Sequence, residues 1–196
     1  MALPCTPATR KSEEDFSQDL IQKYESSDER PPTVVDRYFK KKYGVSMQKK
    51  EGEDICILIH SNRICIVTLA PSHPILEKKK KVTGVNFNVG KVNRLDNKVS
   101  GKGKRGAQWL GPSSTLCSLS CEDGSIYDVC SGIKGQLIEV NEALIHSPHL
   151  INEEPLNTGY IGILLPPLKE HQQETERLLT EDQYQEVLRE RQSACT

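Results

Sequence analysis

Aromatic residues make up 5% of this 196-residue chain, with one tryptophan and two methionines, and hydrophobic residues make up 36%. Globular domains usually reach ~45–50% apolar content, a figure that also counts glycine, so part of the chain is not core. No stretch approaches the roughly 20 apolar residues of a membrane span, which excludes a membrane partner of that kind. No apolar run follows Met1, so no secretory signal is expected and the cytosol or nucleus is the expected compartment. Seven cysteines (5, 56, 65, 117, 121, 130 and 195) are an odd number without a secretion signal, which argues against a disulfide framework. No Cys-x-x-Cys occurs. Cys117 and Cys121 would share one face of a strand and could meet a metal, but the usual zinc spacing is missing, and the alternative is that they are small buried residues.

Catalytic patterns are missing as well. There is no Gly-x-Ser-x-Gly elbow and no phosphate-cradling Gly-x-x-x-x-Gly-Lys. Gly101, Gly103 and Gly106 lack the strand-to-helix setting that such a loop requires. His60, His73, His146, His149 and His171 are scattered and read as surface or locally bonded histidines. Glu153 and Glu154 are adjacent, and neighbouring carboxylates point apart in most backbones. The expectation is a non-enzymatic protein without catalytic residues, metal or cofactor.

What the sequence does have is charge, unevenly spread. The formal net charge is −1, yet residues 31–110 carry 17 basic and 6 acidic side chains, and residues 111–196 carry 5 basic and 14 acidic. A basic front half suits an acidic partner, either nucleic acid or an acidic protein surface, although such charges can also simply solvate a fold. The candidate partner-binding residues are Lys40, Lys41 and Lys42, the run Lys78, Lys79, Lys80 and Lys81, and Lys102, Lys104 and Arg105. The run 78–81 also fits a nuclear-import signal. Lys98, Lys102, Lys104 and Arg105 lie near Trp109, a pattern found in single-strand nucleic-acid binders, although a lone tryptophan more often packs in a core.

Periodicity predicts a mainly β protein: a disordered tail over 1–32, then one domain over 33–192. Asp36–Tyr43 suggests one or two helical turns, capped by Asp36 and stopped by Gly44. Ile55–His60 and Arg63–Leu69 around Ser61-Asn62 read as a hairpin covered on both faces. Val82–Val89 alternates like a half-buried strand, and residues 90–108 suggest turns around a short strand. Leu116–Cys121 and Ile126–Cys130 flank Asp123-Gly124, a type I′ hairpin signal. Further strands are expected at Ile133–Val140 and Tyr160–Leu165, with a helical turn at Asn141–Leu144. Thr180 and Gln183 fit a capping box, and Tyr184, Val187 and Leu188 form the docking face of a C-terminal helix.

Residues 132–165, GIKGQLIEVNEALIHSPHLINEEPLNTGYIGILL, resemble the second half of the glycine-cleavage H protein, a lipoyl carrier. Gly135, Glu139 to Leu144, Pro148, Asn152, Glu153, Pro155, Gly159 and Tyr160 carry the likeness. Lys104-Arg105-Gly106 and the segment 178–188 extend it to roughly residues 99–190. The resemblance implies the barrel-sandwich hybrid of lipoyl and biotinyl domains. The family's carrier lysine would fall near Gly124, where Glu122-Asp123-Gly124-Ser125 offers no amine, so the scaffold is expected without the swinging arm.

A broader likeness spans most of 34–190 and rests on VVDRYFKKKY (34–43), HSNRICIVTLAPSHPIL (60–76), NKVSGKGKRGAQWL (97–110) and GYIGILLP (159–166). These segments are similar to a family of actin-binding transcription modulators. That resemblance implies binding to filamentous and monomeric actin, with effects on actin polymerisation, filopodia and dendrite branching. It also implies nuclear speckles, cytoplasm and cell projections such as growth cones as locations. An RNA or single-stranded nucleic-acid-binding module on the same fold is the alternative reading.

Overall fold

The two Ile- and Val-rich runs pair in register as expected: β2 (Ile55–His60) lies antiparallel to β3 (Cys65–Leu69), with Ile57 opposite Val67. The structure is a computed structural model that describes residues 32–48 and 50–194. The predicted disordered tail, Pro32 aside, lies outside the described residues, as do Cys5 and Cys195.

The run Asp36–Tyr43 departs from its helical expectation. A short helix α1 (Val34–Tyr38) gives way to strand β1 (Phe39–Gly44), which pairs with β2 along its whole length. The residues alternate, with Lys40 and Lys42 on one face and Phe39, Lys41 and Tyr43 on the other. Tyr43 has an apolar partner across the sheet in Cys56, and that packing overrides local helix preference. Asp36 consequently sits inside the helix rather than at its cap.

After β3 come a helical turn α2 (Pro74–Glu77), β4 (Val82–Asn86), β5 (Asn88–Val89), β6 (Val92–Asn93), a 3₁₀ turn at Arg94–Asp96 and β7 (Trp109–Leu110). The expected strand 82–89 is therefore broken at Phe87, whose side chain turns into the core. β8 (Thr115–Cys121) and β9 (Ile126–Cys130) form the expected hairpin, but only Gly124, at φ +79°, has a positive φ; Asp123 does not, so the turn is not the type I′ expected, which needs φ > 0 at both central residues. β10 (Gly135–Val140), helical turns α3 (Ala143–His146) and α4 (Leu150–Glu153), β11 (Gly162–Leu165), α5 (His171–Glu176) and α6 (Glu181–Ala194) complete the order.

The strands form a six-stranded antiparallel sheet, β1-β2-β3-β11-β10-β7, a three-stranded sheet, β4-β8-β9, and the ribbon β5-β6. The main core contains Ile55, Ile57, Val67, Leu137 and Leu164 from the first sheet and Leu116, Leu119 and Val129 from the second. This mainly β sandwich with a C-terminal helix is the expected fold class.

A second core explains why β2 is apolar on both faces. Cys56 and Leu58 look away from the main core toward Tyr43, Ala70 and Tyr184, where α6 covers the sheet. The Tyr43 and Tyr184 rings stack at 4.1 Å. The capping box forms as predicted: the Thr180 amide donates to Gln183 Oε1 and the Gln183 amide to Thr180 Oγ1. Arg191 then donates to fully buried Asp54 at 2.5 and 3.2 Å, so a charge that would be costly alone is satisfied from the helix.

The five described cysteines are free and buried. Cys117 and Cys121 pack in the main core, and among the described residues no group of three His, Cys, Asp or Glu is placed to hold a metal ion. Burial pushes the Cys56 and Cys65 thiols up to about 12 and Cys130 up to about 11.

Candidate functional site

The structure sorts the ten candidate cations into three places. The first is the β8–β9 hairpin tip. Lys80 comes to it from α2, bridging Asp123 at 2.7 Å, donating to Ser125 Oγ at 3.1 Å and lying 5.2 Å from the Tyr127 ring centre. Asp123 also accepts from the Ser125 amide at 3.0 Å. Hydrogen bonding to Asp123 raises the Lys80 ammonium further, and the bond from Lys80 holds the Asp123 carboxyl well below the usual carboxylate range. Lys81 faces Glu122 at 3.8 Å. Lys78 and Lys79 are exposed, and neither side chain has a partner among the described residues. Two adjoining cavities of about 290 and 300 Å³ share Lys79 and Lys81, the first lined also by Leu76 and His149, the second by Glu122 and Asp123. Linear reading finds no lysine in the tip itself; folding brings Lys80 there, protonated and ion-paired.

The second place is the loop 98–108, at the other end of β8. Its base is a polar network. Buried Arg94 donates to the Thr115 carbonyl at 3.1 and 2.9 Å and to Gln108 Oε1 at 2.7 Å. Asn97 Nδ2 donates to the Leu137 carbonyl, and Asn97 Oδ1 accepts the Gln108 amide at 2.8 Å. Above it, Ser100 and Arg105 exchange backbone bonds at 3.0 and 2.9 Å. Gly106 sits at φ +81° with its α-carbon so near the Lys98 carbonyl that a Cβ would meet it at 2.4 Å. Gln136 donates to the Lys104 carbonyl and pairs with Trp109 across the sheet, which sets the indole beside the loop. Trp109 is 59% exposed while its neighbour Leu110 is 2% exposed. Arg94, Asn97 and Gln108 carried no recognisable signal in the sequence, because none belongs to a periodic pattern.

The third place is edge strand β1. Lys41 bridges Asp36 at 2.9 Å, and Lys42 reaches the Leu178 carbonyl. Lys40 lines a cavity of about 350 Å³ with Lys42, Tyr38, His60 and His171. Lysines on an edge also discourage strand addition. β8 has seven residues, so at ~3.3 Å each its hairpin-tip end and the Thr115 end that anchors the loop base are roughly 20 Å apart.

Comparison with known proteins places this geometry. The family model for the glycine cleavage H-protein matches residues 122–191, beginning in the hairpin turn itself. Protein Abitram of Homo sapiens is 46% identical over 166 residues, 84% of this chain and 92% of that protein. The chain belongs to the Abitram family. Abitram of Drosophila melanogaster is 42% identical over 158 residues, 81% of this chain and 71% of that protein. Abitram of Dictyostelium discoideum is 30% identical over 158 residues, 79% of this chain and 87% of that protein. A solved glycine cleavage system H protein from Mycobacterium marinum shares 16% identity, with a TM-score of 0.47 over 66% of this chain and 87% of that chain. This Abitram-family chain thus combines an H-protein-like segment with a hairpin turn, Glu122-Asp123-Gly124-Ser125, that has no amine to acylate.

Proposed function

We propose that the protein is a non-enzymatic actin-binding regulator, active on actin polymerisation in the cytoplasm and cell projections and on transcription in the nucleus. The observation that supports this reading best is the carrier-like scaffold whose turn lacks the lysine, leaving recognition by its surface. Lys40, Lys78 and Lys79 present ammonium groups without a side-chain ion partner among the described residues. An acidic protein surface such as actin would be attracted by them, and the leucine-floored cavity beside Lys79 gives a protruding side chain somewhere to seat.

Co-sedimentation with filamentous actin across a salt series tests the reading. Pelleting should fall with salt, since exposed charges are screened within about 10 Å at 0.1 M ionic strength. The triple variant K40E/K78E/K79E should pellet less. Undiminished pelleting of that variant at low salt, or no pelleting of the native chain at any salt, would sink the proposal.

A further inference from the structure

The loop 98–108 has features that an actin-docking surface does not require. Residues 97–121 contain no Asp or Glu, while Lys98, Lys102, Lys104 and Arg105 lie within them. None of these four side chains has an ion partner among the described residues, whereas two of the four lysines at the hairpin tip face carboxylates. The loop is held rigid by the Ser100–Arg105 bridge and by the Asn97, Gln108 and Gln136 side chains beneath it. At its edge the chain exposes its one tryptophan. Strand alternation puts Leu110 in the core and the Trp109 ring on the outer face of the sheet, where it is exposed.

That outer face is itself unevenly covered. α6 packs over β1–β3 through Tyr184, and Leu188 packs against the same small core. Beyond it, Gln136 and Trp109 lie side by side on β10 and β7, with Leu165 next across the sheet. Gln136 and Leu165 are half-buried there, and the exposed Trp109 lies at the end of the sheet that carries the acid-free basic loop.

We infer that this loop and Trp109 form a binding site for single-stranded nucleic acid. A base stacks on the indole, and the flanking phosphates lie against Lys102, Lys104 and Arg105. The exposed aromatic selects single strands, because only an unpaired base has a free face for it; every base has such a face, so recognition is largely sequence-tolerant. The cations supply the salt-dependent part of the affinity.

The chain's single tryptophan makes the site its own reporter. RNA and DNA single strands of about 12 nucleotides, within the usual site sizes, are titrated into the full-length protein at low salt, with a duplex as control. Trp109 emission should be quenched by either single strand, and the ratio of the two affinities shows whether a 2′-hydroxyl is read. The duplex should bind more weakly and quench less. By fluorescence anisotropy of labelled oligonucleotide, Trp109→Ala should lose about tenfold or more in affinity, while Trp109→Phe, which keeps a stacking face, should lose only a few-fold. Both variants alter an exposed side chain, and circular dichroism checks that they fold. The variant K102E/K104E/R105E should flatten the slope of log affinity against log salt by about 2, given ~0.7 per phosphate contact on a single strand. Absence of binding at low salt, or binding that leaves Trp109 emission and the Trp109→Ala affinity unchanged, overturns the assignment. So does a Trp109 response to filamentous actin with none to oligonucleotides, which would make the loop a protein contact.

Discussion

Two stretches of this chain carry four positive charges each, Lys78 to Lys81 and Lys98 to Arg105, and they are physically unlike. In the first, half of the charge is answered in place. Lys80 is fixed to Asp123 and Ser125, Lys81 faces Glu122, and Glu153 lines the adjoining cavity. In the second, the acids are absent, and the loop is held by backbone bonds and neutral side chains that leave its cations free. The formal charge is the same in both; the difference is which groups the fold brings alongside. A charge run becomes a candidate surface only where folding fails to neutralise it.

The largest effect that should separate the two stretches is on the support of the first. His73, buried, accepts the Ile75 amide through Nδ1 at 3.2 Å and so caps α2, the turn that delivers Lys78. Burial lowers its pKa from 6.5 to about 4, with Asp54 opposing the shift. The unfolded chain thus takes up a proton near pH 6.5 that the folded chain refuses until about pH 4. This neutral-histidine contribution is intact above about pH 7 and is lost as pH falls from 6.5 to 4, costing about 3 kcal/mol by pH 4. His73→Asn keeps an acceptor at the cap and removes the titration. Urea unfolding of both proteins from pH 7 to 4 should show a shallower slope for the variant; parallel slopes would refute the assignment.

Next in size is the support of the second stretch. Arg94→Ala removes three hydrogen bonds and leaves the Thr115 carbonyl short of a charged donor, which should cost about 2 kcal/mol. Trp109 fluorescence anisotropy should fall as the loop base loosens, with little change in actin pelleting. An unchanged anisotropy would mean that the loop holds itself without its network, and the contrast between supported and self-supporting loops would have to be redrawn.

The third comparison sets the two surfaces against each other. K40E/K78E/K79E should weaken actin pelleting and spare oligonucleotide binding, and K102E/K104E/R105E should do the reverse. Equal effects of both variants on both ligands would show that only net charge matters and that the loops are one field.

These contrasts also mark what was legible in the sequence. Ile55–His60 announced a doubly covered strand because Ile55, Ile57 and Ile59 filled one face and Cys56 and Leu58 the other, and Asp123-Gly124 announced the position of its turn because Gly124 readily takes a positive φ. Thr180 and Gln183 announced a helix start for the same local reason. Phe39–Gly44 was illegible: its strand state depends on Cys56 and Leu58, distant in sequence, and on closure against Leu179. The candidate site was half legible. The cations are plain in the chain, but whether each stays free depends on Asp123, Glu122 and Gln136, which only the sheet pairings bring into reach. The H-protein likeness likewise pointed to a missing lysine at Gly124, and the fold brings Lys80 against the neighbouring Asp123 from the turn after α2.

The smallest expected effect tests whether Lys80 is truly held there. Acylation of a lysine requires its neutral amine, and Asp123 keeps the Lys80 amine protonated. Under limiting amine acetylation at neutral pH, followed by peptide mass spectrometry, Lys78 and Lys79 should be modified before Lys80. Asp123→Asn should abolish the difference while leaving Lys78 unaffected, because only Lys80 leans on that carboxylate. The same spectra, taken first on the intact chain, should show no lipoyl mass. If Lys80 reacts as fast as Lys78 in the native protein, the tip carboxylate does not restrain it. Only Lys81 of the four charges in the first stretch would then remain answered, by Glu122, and the distinction between the two stretches would rest largely on Trp109.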